Sequence, residues 1–358
     1  MISLPQIPTI TLAPLLKGTS MSKNRTRMAD IASHAGVSIA TVSRVFNGVG
    51  QVSDDTRYRV LTAIDELGYE RPSMLADDNR LIIGVIVPEL TNPIFATFAH
   101  TIHSEVDRAG AQAFIASQTP GTTSEEEHTQ AFLARGVSGL IFVSGRHADL
   151  QADLSRYTNL SQIHMPFVTI NGAREEVQAP DFSTEDALGI RASIQHLKEL
   201  GHRKIAMLGG RHHVVPARRK AEAFRQVMAQ EFGITTPTII ETFYTYEAAA
   251  SATHALIDAG ITAIIAGSDL QAMGAIRTIQ SRGLSVPGDI SVIGFDDSFL
   301  MPHLSPALTT VRQPVQAISH SAVSSLFDAI QSQNPQQHQD FAFTPDLVVR
   351  SSTGHARF

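Results

Sequence analysis

The stretch "ADIASHAGVSIATVSRVFNG", Ala29–Gly48, decides the fold of the N-terminal part of this chain. Gly36 suits the left-handed backbone of a sharp turn between two helices, and Ser38 is a favourable N-cap for the helix that follows. Apolar residues recur at helical spacing on both sides of that turn: Ile31, Ala32, Ala35, Val42, Val45 and Phe46. The pattern predicts two short helices joined by a tight turn, which is a helix-turn-helix.

A third helix is predicted from "VSDDTRYRVLTAIDELGY", residues 52–69. Ser53 is its N-cap, and two aspartates follow in the first turn, where they complement the helix dipole. Val60, Ile64 and Leu67 form the face that packs on the first two helices. A glycine turn alone is weak evidence, but here the turn, the caps, the core spacing and the third helix agree. We therefore expect a small, all-α DNA-binding headpiece.

The residues from Asp30 to Asn47 follow the pattern D-[VI]-A-x-x-A-G-V-S-x-x-T-V-S-R-V-[LF]-N almost without a break. This part of the chain resembles the lactose and galactose repressor (LacI/GalR) family. The resemblance implies that Ile39, Ala40 and Arg44 reach base edges. Ile39 and Ala40 have no hydrogen-bonding groups, so Arg44 is the candidate for polar readout, with a phosphate contact or a surface ion pair as its alternatives. Residues expected to hold the DNA backbone are Arg25, Arg27, Ser38, Thr41, Ser43, Asn47, Ser53 and Arg57.

Length and composition limit what the rest of the chain can be. A chain of 358 residues predicts about two or three compact units. Its net charge of -6 restricts DNA contact to one segment. With no cysteine and no apolar run of about eighteen residues, we expect neither a disulfide framework nor a membrane span, and a cytoplasmic location. Residues 1–20 are a disordered tail or lie upstream of a natural start at Met21.

After about residue 81, strand-like and helix-like segments alternate, beginning with "LIIGVIVPEL" and "NPIFATFAHTIHSEVDRAG". Such alternation predicts an α/β fold with about ten strands in parallel sheets that helices cover on both faces. The rhythm breaks near Asn171 and near Asp296, which favours two lobes joined by crossing strands, with a cleft between them. "LGHRKIAMLGG", "SVPGDISVIGFDD" and "SPALTTVRQP" resemble the family's effector domain, which is shaped like a periplasmic sugar-binding protein.

In an open α/β sheet a ligand site lies outside the carboxyl ends of the strands. Side chains predicted there are Asn92, Phe95, Ser144, Arg146, Asn171, Arg219, Lys220, Tyr244, Ser268, Asp269 and Asp296. The resemblance implies aromatic walls from Phe95 and Tyr244 and a hydroxyl acceptor at Asp296. It puts Lys220 where the family has an arginine, and lysine cannot form the planar bidentate fork. At each position, a loop residue satisfied within the protein is the alternative.

The linker "ERPSMLADDNR" departs from the family's hinge pattern P-N-x-x-A-R-x-L. Asp77 stands at the arginine position and Asn79 at the position of the leucine that wedges into the minor groove. Either Leu75 provides the wedge or the DNA kink is weaker. The predicted organisation is a tail or upstream stretch at 1–20, a headpiece at 21–71, a hinge linker at 72–80 and a two-lobed effector-binding and dimerisation domain at 81–358.

The remaining motifs argue against other functions. His212 and His213 invite a metal site, but no further ligand completes it, so a solvated loop is favoured. Neither a P-loop nor a nucleophile elbow is present, and we expect no enzyme and no cofactor. A secreted sugar-transport protein would have no use for a helix-turn-helix.

We therefore expect an allosteric transcriptional repressor of carbohydrate genes. Its expected partners are operator DNA, a sugar effector and a second copy in a homodimer, with no membrane. The phrase "PELTNPIF" resembles maltose-type repressors, which implies an α-glucoside such as maltose.

Overall fold

A computed structural model of the chain describes residues 28–47, 52–67, 80–118, 124–332 and 336–357, without the side chains of residues 46 and 47. These residues divide into two compact units, with the division between residues 78 and 79. Arg25, Arg27 and the linker positions Leu75, Asp77 and Asn79 fall outside the described ranges, as do residues 1–20. The predictions made for them stay predictions.

The first unit contains three helices: α1 (Met28–Ala35), α2 (Ile39–Asn47) and α3 (Asp54–Glu66). Gly36 has a φ of +65°, so the turn between α1 and α2 uses the left-handed backbone that glycine permits. The Ser38 hydroxyl accepts a hydrogen bond from the Thr41 amide at 3.1 Å, and Ser53 caps α3. The core consists of small side chains: Ile31, Ala32, Ala35, Val42, Val45, Val60 and Ala63. The predicted helix-turn-helix and third helix are confirmed.

The second unit alternates strands and helices. Its strands are β1 (Ile82–Val87), β2 (Gln112–Ser117), β3 (Gly139–Val143), β4 (Phe167–Ile170), β5 (Pro180–Thr184), β6 (Ile205–Gly209), β7 (Ile239–Glu241), β8 (Ala263–Ala266), β9 (Ser291–Asp296), β10 (Thr309–Arg312), β11 (Gln339–Phe343) and β12 (Asp346–Val348). Its helices are α4 (Pro93–Arg108), α5 (Glu125–Ala134), α6 (Ser155–Gln162), α7 (Asp186–Glu199), α8 (Val215–Phe232), α9 (Tyr246–Asp258), α10 (Asp269–Ser281) and α11 (Val315–Ser332).

The strands form two six-stranded sheets, one in each lobe. The first has the order β11-β5-β4-β3-β1-β2 and is parallel throughout. The second has the order β12-β10-β9-β8-β6-β7, and β12 alone runs antiparallel to its neighbour. Helices cover both faces of each sheet, and the central strands are therefore buried on both sides. The predicted α/β fold with parallel sheets is confirmed.

The chain passes between the lobes three times, after β5, after β10 and after β11. The two breaks in rhythm near Asn171 and Asp296 come one strand before the first two passages. In each case a strand follows with no α-helix before it, and the chain then enters the other lobe. The carboxyl ends of the parallel strands of both lobes meet at the cleft, and this arrangement positions the site.

Candidate functional site

The residues expected to contact bases lie at the start and in the middle of α2. Ile39 is 53% exposed, and Ala40 and Arg44 are exposed as well. Thr41 and Ser43 are half-buried, because they flank the core residues of this helix. An exposed apolar pair next to an exposed guanidinium suits a groove in which thymine methyls and guanine acceptors alternate.

The residues expected to hold the DNA backbone are spread over the edge of the headpiece. Ser38 and Ser53 are exposed, and their hydroxyls already cap α2 and α3. Arg57 is exposed in the second turn of α3. The Asn47 side chain lies outside the described part of the chain, as do Arg25 and Arg27.

A cavity of about 250 Å³ lies in the second unit between its two lobes. Eight of the residues predicted for the effector line it: Asn92, Phe95, Ser144, Asn171, Lys220, Tyr244, Ser268 and Asp296. The first four come from the first lobe and the other four from the second. Seven of them end a strand, follow one or lie at the start of the next helix, as the position of sites in α/β folds predicts, and Lys220 lies in the second turn of α8.

Two arginines predicted for this site do not line the cavity. Arg146 is exposed, and its guanidinium lies 3.1 Å from the carboxylate of Asp149. Arg219 lies beside the lysine that does line the cavity, but its side chain points to Asp340, 3.3 Å away. Successive residues of a helix point about 100° apart, and in α8 it is Lys220 that faces the cavity while Arg219 faces Asp340.

Asp269, also predicted for the site, is buried behind the cavity wall. Its carboxylate accepts hydrogen bonds from the Thr310 hydroxyl at 2.6 Å and from the Ser298 amide at 2.7 Å. Burial, followed by the nearby charge of Asp296, raises the pKa of Asp269 to about 8. Its contacts hold together the start of α10 and the ends of β9 and β10.

Asp296, the predicted hydroxyl acceptor, reaches the cavity from a strained backbone. Its φ is +125° and that of Asp297 is +56°. The Gln313 amide donates to the Asp296 carboxylate at 2.7 Å, and burial raises the pKa of Asp296 to about 7. Asp297 instead binds Arg312 at 2.7 Å and Arg350 at 2.6 Å. It therefore stabilises the turn that follows β9.

Lys220 is buried and already has partners. Its ammonium lies 3.6 Å from the Asp186 carboxylate and donates to the Gly267 carbonyl at 3.2 Å. It also sits 3.7 Å from the centre of the Phe295 ring. Burial acts to lower the pKa of Lys220, but neighbouring groups, first Asp186, outweigh burial and raise it. The lysine is therefore positively charged in this site.

Tyr244 forms one wall of the cavity because two glycines leave room for its ring. A Cβ on Gly210 would lie 2.5 Å from the ring carbons Cε2 and Cζ, and one on Gly267 would lie 3.0 Å from Cε1. The Tyr244 hydroxyl is buried and has no hydrogen-bond partner within the described part of the chain. A ligand hydroxyl in the cavity could satisfy it.

Sequence reasoning missed eight further residues that line the cavity: Pro88, Glu89, Ile94, Asp186, Val214, Pro216, Gly267 and Gln313. Most are neighbours of predicted residues in the same loops. Asp186 and Gln313 follow β5 and β10, two strands that were not recognised as such. Their positions after these strands are the signal that would have found them.

Next to the cavity the two lobes touch through their backbones. The Leu150 amide of the first lobe donates to the His213 carbonyl of the second at 2.7 Å.

His213 lies 4.0 Å from Asp149, and His212 lies 3.1 Å from Glu241. The described residues include no group of three His, Cys, Asp or Glu side chains placed to bind a metal ion. None of the described helices is long and apolar enough to cross a membrane.

Comparison with known proteins identifies relatives of both units. The family model described as bacterial regulatory proteins, lacI family, matches residues 27–72, and that of the periplasmic binding protein-like domain matches residues 194–353. The transcriptional regulator MalR of Streptomyces coelicolor is 44% identical over 336 residues, which are 92% of this chain and 97% of the relative.

Two solved structures match along 92% of this chain and 100% of their own length. One is the lac repressor dimer bound to operator and the anti-inducer ONPF, at 28% identity and a TM-score of 0.65. The other is a complex of the regulator CelR with cellobiose, at 27% identity and a TM-score of 0.66. These matches confirm the resemblance that the sequence carries.

Proposed function

This chain belongs to the LacI family of bacterial regulatory proteins, and we propose on that premise that a sugar in its cavity controls how tightly its headpiece binds operator DNA. Like the relatives that match nearly its whole length, it is a DNA-binding transcriptional regulator and not an enzyme. The observation that carries the proposal is the cavity. Its wall combines two aromatic rings with buried amide and carboxyl groups, the combination that sugar rings and hydroxyls bind.

In this proposal α2 enters the major groove and Arg44 donates to a guanine, while Ile39 and Ala40 contact thymine methyls. The chain acts as a homodimer whose two headpieces bind a near-palindromic operator, with half-sites about one helical turn apart. The exposure of all three side chains supports the assignment. The matching lac repressor structure is described as a dimer bound to operator, which supports the dimer.

The effector is proposed to be an α-glucoside such as maltose. The name MalR of the 44% identical relative supports this choice, and the CelR structure with cellobiose supports a disaccharide of glucose. Phe95 and Tyr244 would pack on the apolar faces of the sugar rings, and Asp296 and the Tyr244 hydroxyl would bind ring hydroxyls.

Control of operator binding requires that sugar and operator bind different states of the protein. Both lobes contribute to the cavity wall, so a ligand that contacts both favours one arrangement of the lobes. If that arrangement binds operator less well, the sugar and the operator weaken each other by the same factor. This reciprocity is a thermodynamic requirement of the proposal.

The test measures binding of the full chain to its own upstream DNA by fluorescence anisotropy, with and without maltose, trehalose and glucose. We expect one sugar to change the operator dissociation constant at least tenfold. Asp296→Asn should abolish the sugar response but keep operator binding, whereas Arg44→Ala should reduce operator binding but keep sugar binding. The proposal fails if a sugar binds the protein and leaves operator affinity unchanged.

A further inference from the structure

The charged side chains that line the cavity are mainly acidic. Glu89, Asp186 and Asp296 supply three carboxyl groups, and Lys220 supplies the only ammonium among the lining residues that the structure describes. Burial raises the pKa of Asp296 to about 7, so this carboxyl group is partly protonated near neutral pH. Carboxyl groups therefore outnumber the ammonium by three to one among these lining residues.

Lys220 is not available to bind an anionic ligand. Its ammonium lies 3.6 Å from the Asp186 carboxylate, donates to the Gly267 carbonyl at 3.2 Å and sits over the Phe295 ring. A phosphate that bound Lys220 would have to compete with Asp186, which is itself buried. The one cation is therefore neutralised within the protein.

Four helices begin at the cavity, and such helix starts could otherwise bind an anion. Asp186 lies in the first turn of α7, and the carboxylate of Asp296 interacts with the backbone amide of Asp269 at the start of α10. The Asn92 side chain caps α4. Pro216, in the first turn of α8, has no amide hydrogen to donate. The protein's own groups thus occupy three of these helix starts, and proline removes one amide donor from the fourth.

We propose that the cavity binds an uncharged polyhydroxylated ligand and excludes the phosphorylated or carboxylated form of the same sugar. The inference rests on the proposed function and specifies its effector. A phosphate group with nearly two negative charges would lose its water to enter a cavity whose described lining has three carboxyl groups and no cation free of a carboxylate partner. Hydroxyl groups, by contrast, can donate to these carboxylates and accept from the buried amides.

The experiment compares matched sugars on the full chain by titration calorimetry. Maltose, trehalose and glucose are each paired with an anionic counterpart: maltose 1-phosphate, trehalose 6-phosphate and glucose 6-phosphate. For a sugar that binds, we expect its phosphate to bind at least tenfold more weakly. A phosphate that binds as tightly as its neutral partner overturns the inference but, if it alters operator affinity, leaves effector control intact. If none of the six sugars and sugar phosphates binds the protein or changes its affinity for the operator, the proposed function itself fails.

A charge variant tests the cause of the exclusion. Asp186→Asn removes the carboxylate that neutralises Lys220, so the ratio of neutral to phosphorylated affinity should fall at least tenfold, whatever happens to each affinity alone. Glu231→Gln, which removes a carboxylate from the surface of α8, should leave the ratio within twofold. If Asp186→Asn does not fold, Glu89→Gln at the half-buried edge of the cavity replaces it, with a smaller fall. An unchanged ratio in the folded variant overturns the inference.

Discussion

Alanine in place of Gly210 should displace Tyr244 and weaken effector binding. The added Cβ would lie 2.5 Å from Cε2 and Cζ of the ring and 2.6 Å from its hydroxyl oxygen. Carbon atoms in contact prefer about 3.5–4.0 Å, so the ring must move by about 1 Å. The open space beside the ring is the cavity, and the ring therefore moves into the volume that the ligand needs.

The expected loss of affinity follows from the cost of such overpacking. Forcing an extra methyl group against a packed side chain costs about 1–3 kcal/mol. Part of this cost is relieved in the free protein, because the ring can enter the empty cavity, and returns when a ligand drives the ring back. We expect effector affinity to fall about tenfold to a hundredfold, with a smaller change in the free energy of unfolding.

The control is the preceding residue, Gly209, at the end of β6. A Cβ on Gly209 would lie 3.6 Å from Ile239, an ordinary contact, so Gly209→Ala should bind the effector within twofold of the unchanged protein. Titration calorimetry with the tightest-binding neutral sugar measures affinity, and urea unfolding shows that both variants are folded. A folded Gly210→Ala variant that binds the sugar as tightly as Gly209→Ala would refute the reasoning.

Three further changes test the headpiece and the buried carboxyl groups. Arg44→Ala should cost about 1–3 kcal/mol of operator-binding free energy and remove discrimination against a base-substituted operator, whereas Arg57→Ala should weaken binding to both DNAs equally. Fluorescence anisotropy with the operator and the base-substituted operator measures this discrimination. If the Arg44→Ala variant keeps it, Arg44 contacts the phosphates instead. Val42→Ala should destabilise the small headpiece by about 2 kcal/mol or more, seen as faster hydrogen exchange of its helices in the full chain; unchanged exchange would contradict this. Burial raises the pKa of Asp269 to about 8 and that of Asp296 to about 7, so the folded protein keeps protons that the unfolded chain releases. These two groups therefore make the free energy of unfolding fall as the pH rises from about 4 towards 8. Asp269→Asn should reduce the difference between urea midpoints at pH 6 and pH 9, and an unaltered difference would show that this pair does not carry it.

The strands that could be predicted from the sequence are those with continuous apolar runs. β1 lies within the predicted strand-like run "LIIGVIVPEL", because its residues are apolar or glycine and nearly all are buried. The edge strand β2, "QAFIAS", and the edge strand β11, "QDFAF", were missed because they are paired on one side only and mix exposed with half-buried residues. Their pattern has neither the apolar run of a central strand nor a clean alternation.

β5, "PDFST", was missed for a different reason, since all of its residues are buried and most are polar. Asp181 receives hydrogen bonds from the hydroxyls of Ser183 and Thr169 and from the Gly172 amide. Two of these partners, Thr169 and Gly172, come from β4 and the loop after it, so the cost of burying the carboxylate is offset fully only in the folded protein. No local sequence pattern predicts such a strand.

The candidate site could be located from the sequence, but the direction of its side chains could not. The rule that sites lie at the carboxyl ends of strands identified the correct loops. The sequence offered both Arg219 and Lys220, which are adjacent in α8, and only the packing of this helix decides which one faces the cavity. Asp269 follows Ser268 directly, yet the serine lines the cavity and the aspartate holds the turns behind it.

Nearly every parallel strand of both sheets ends at the cavity, and each strand that does so contributes between one and five lining residues from its end or from the loop or helix that follows it. The side chains that meet a ligand are therefore not those that form the sheets' apolar cores. A single substitution in one loop can change the preferred ligand and leave the strands unaltered. The same framework can thus acquire new effectors during evolution by small steps, each of which keeps a folded protein.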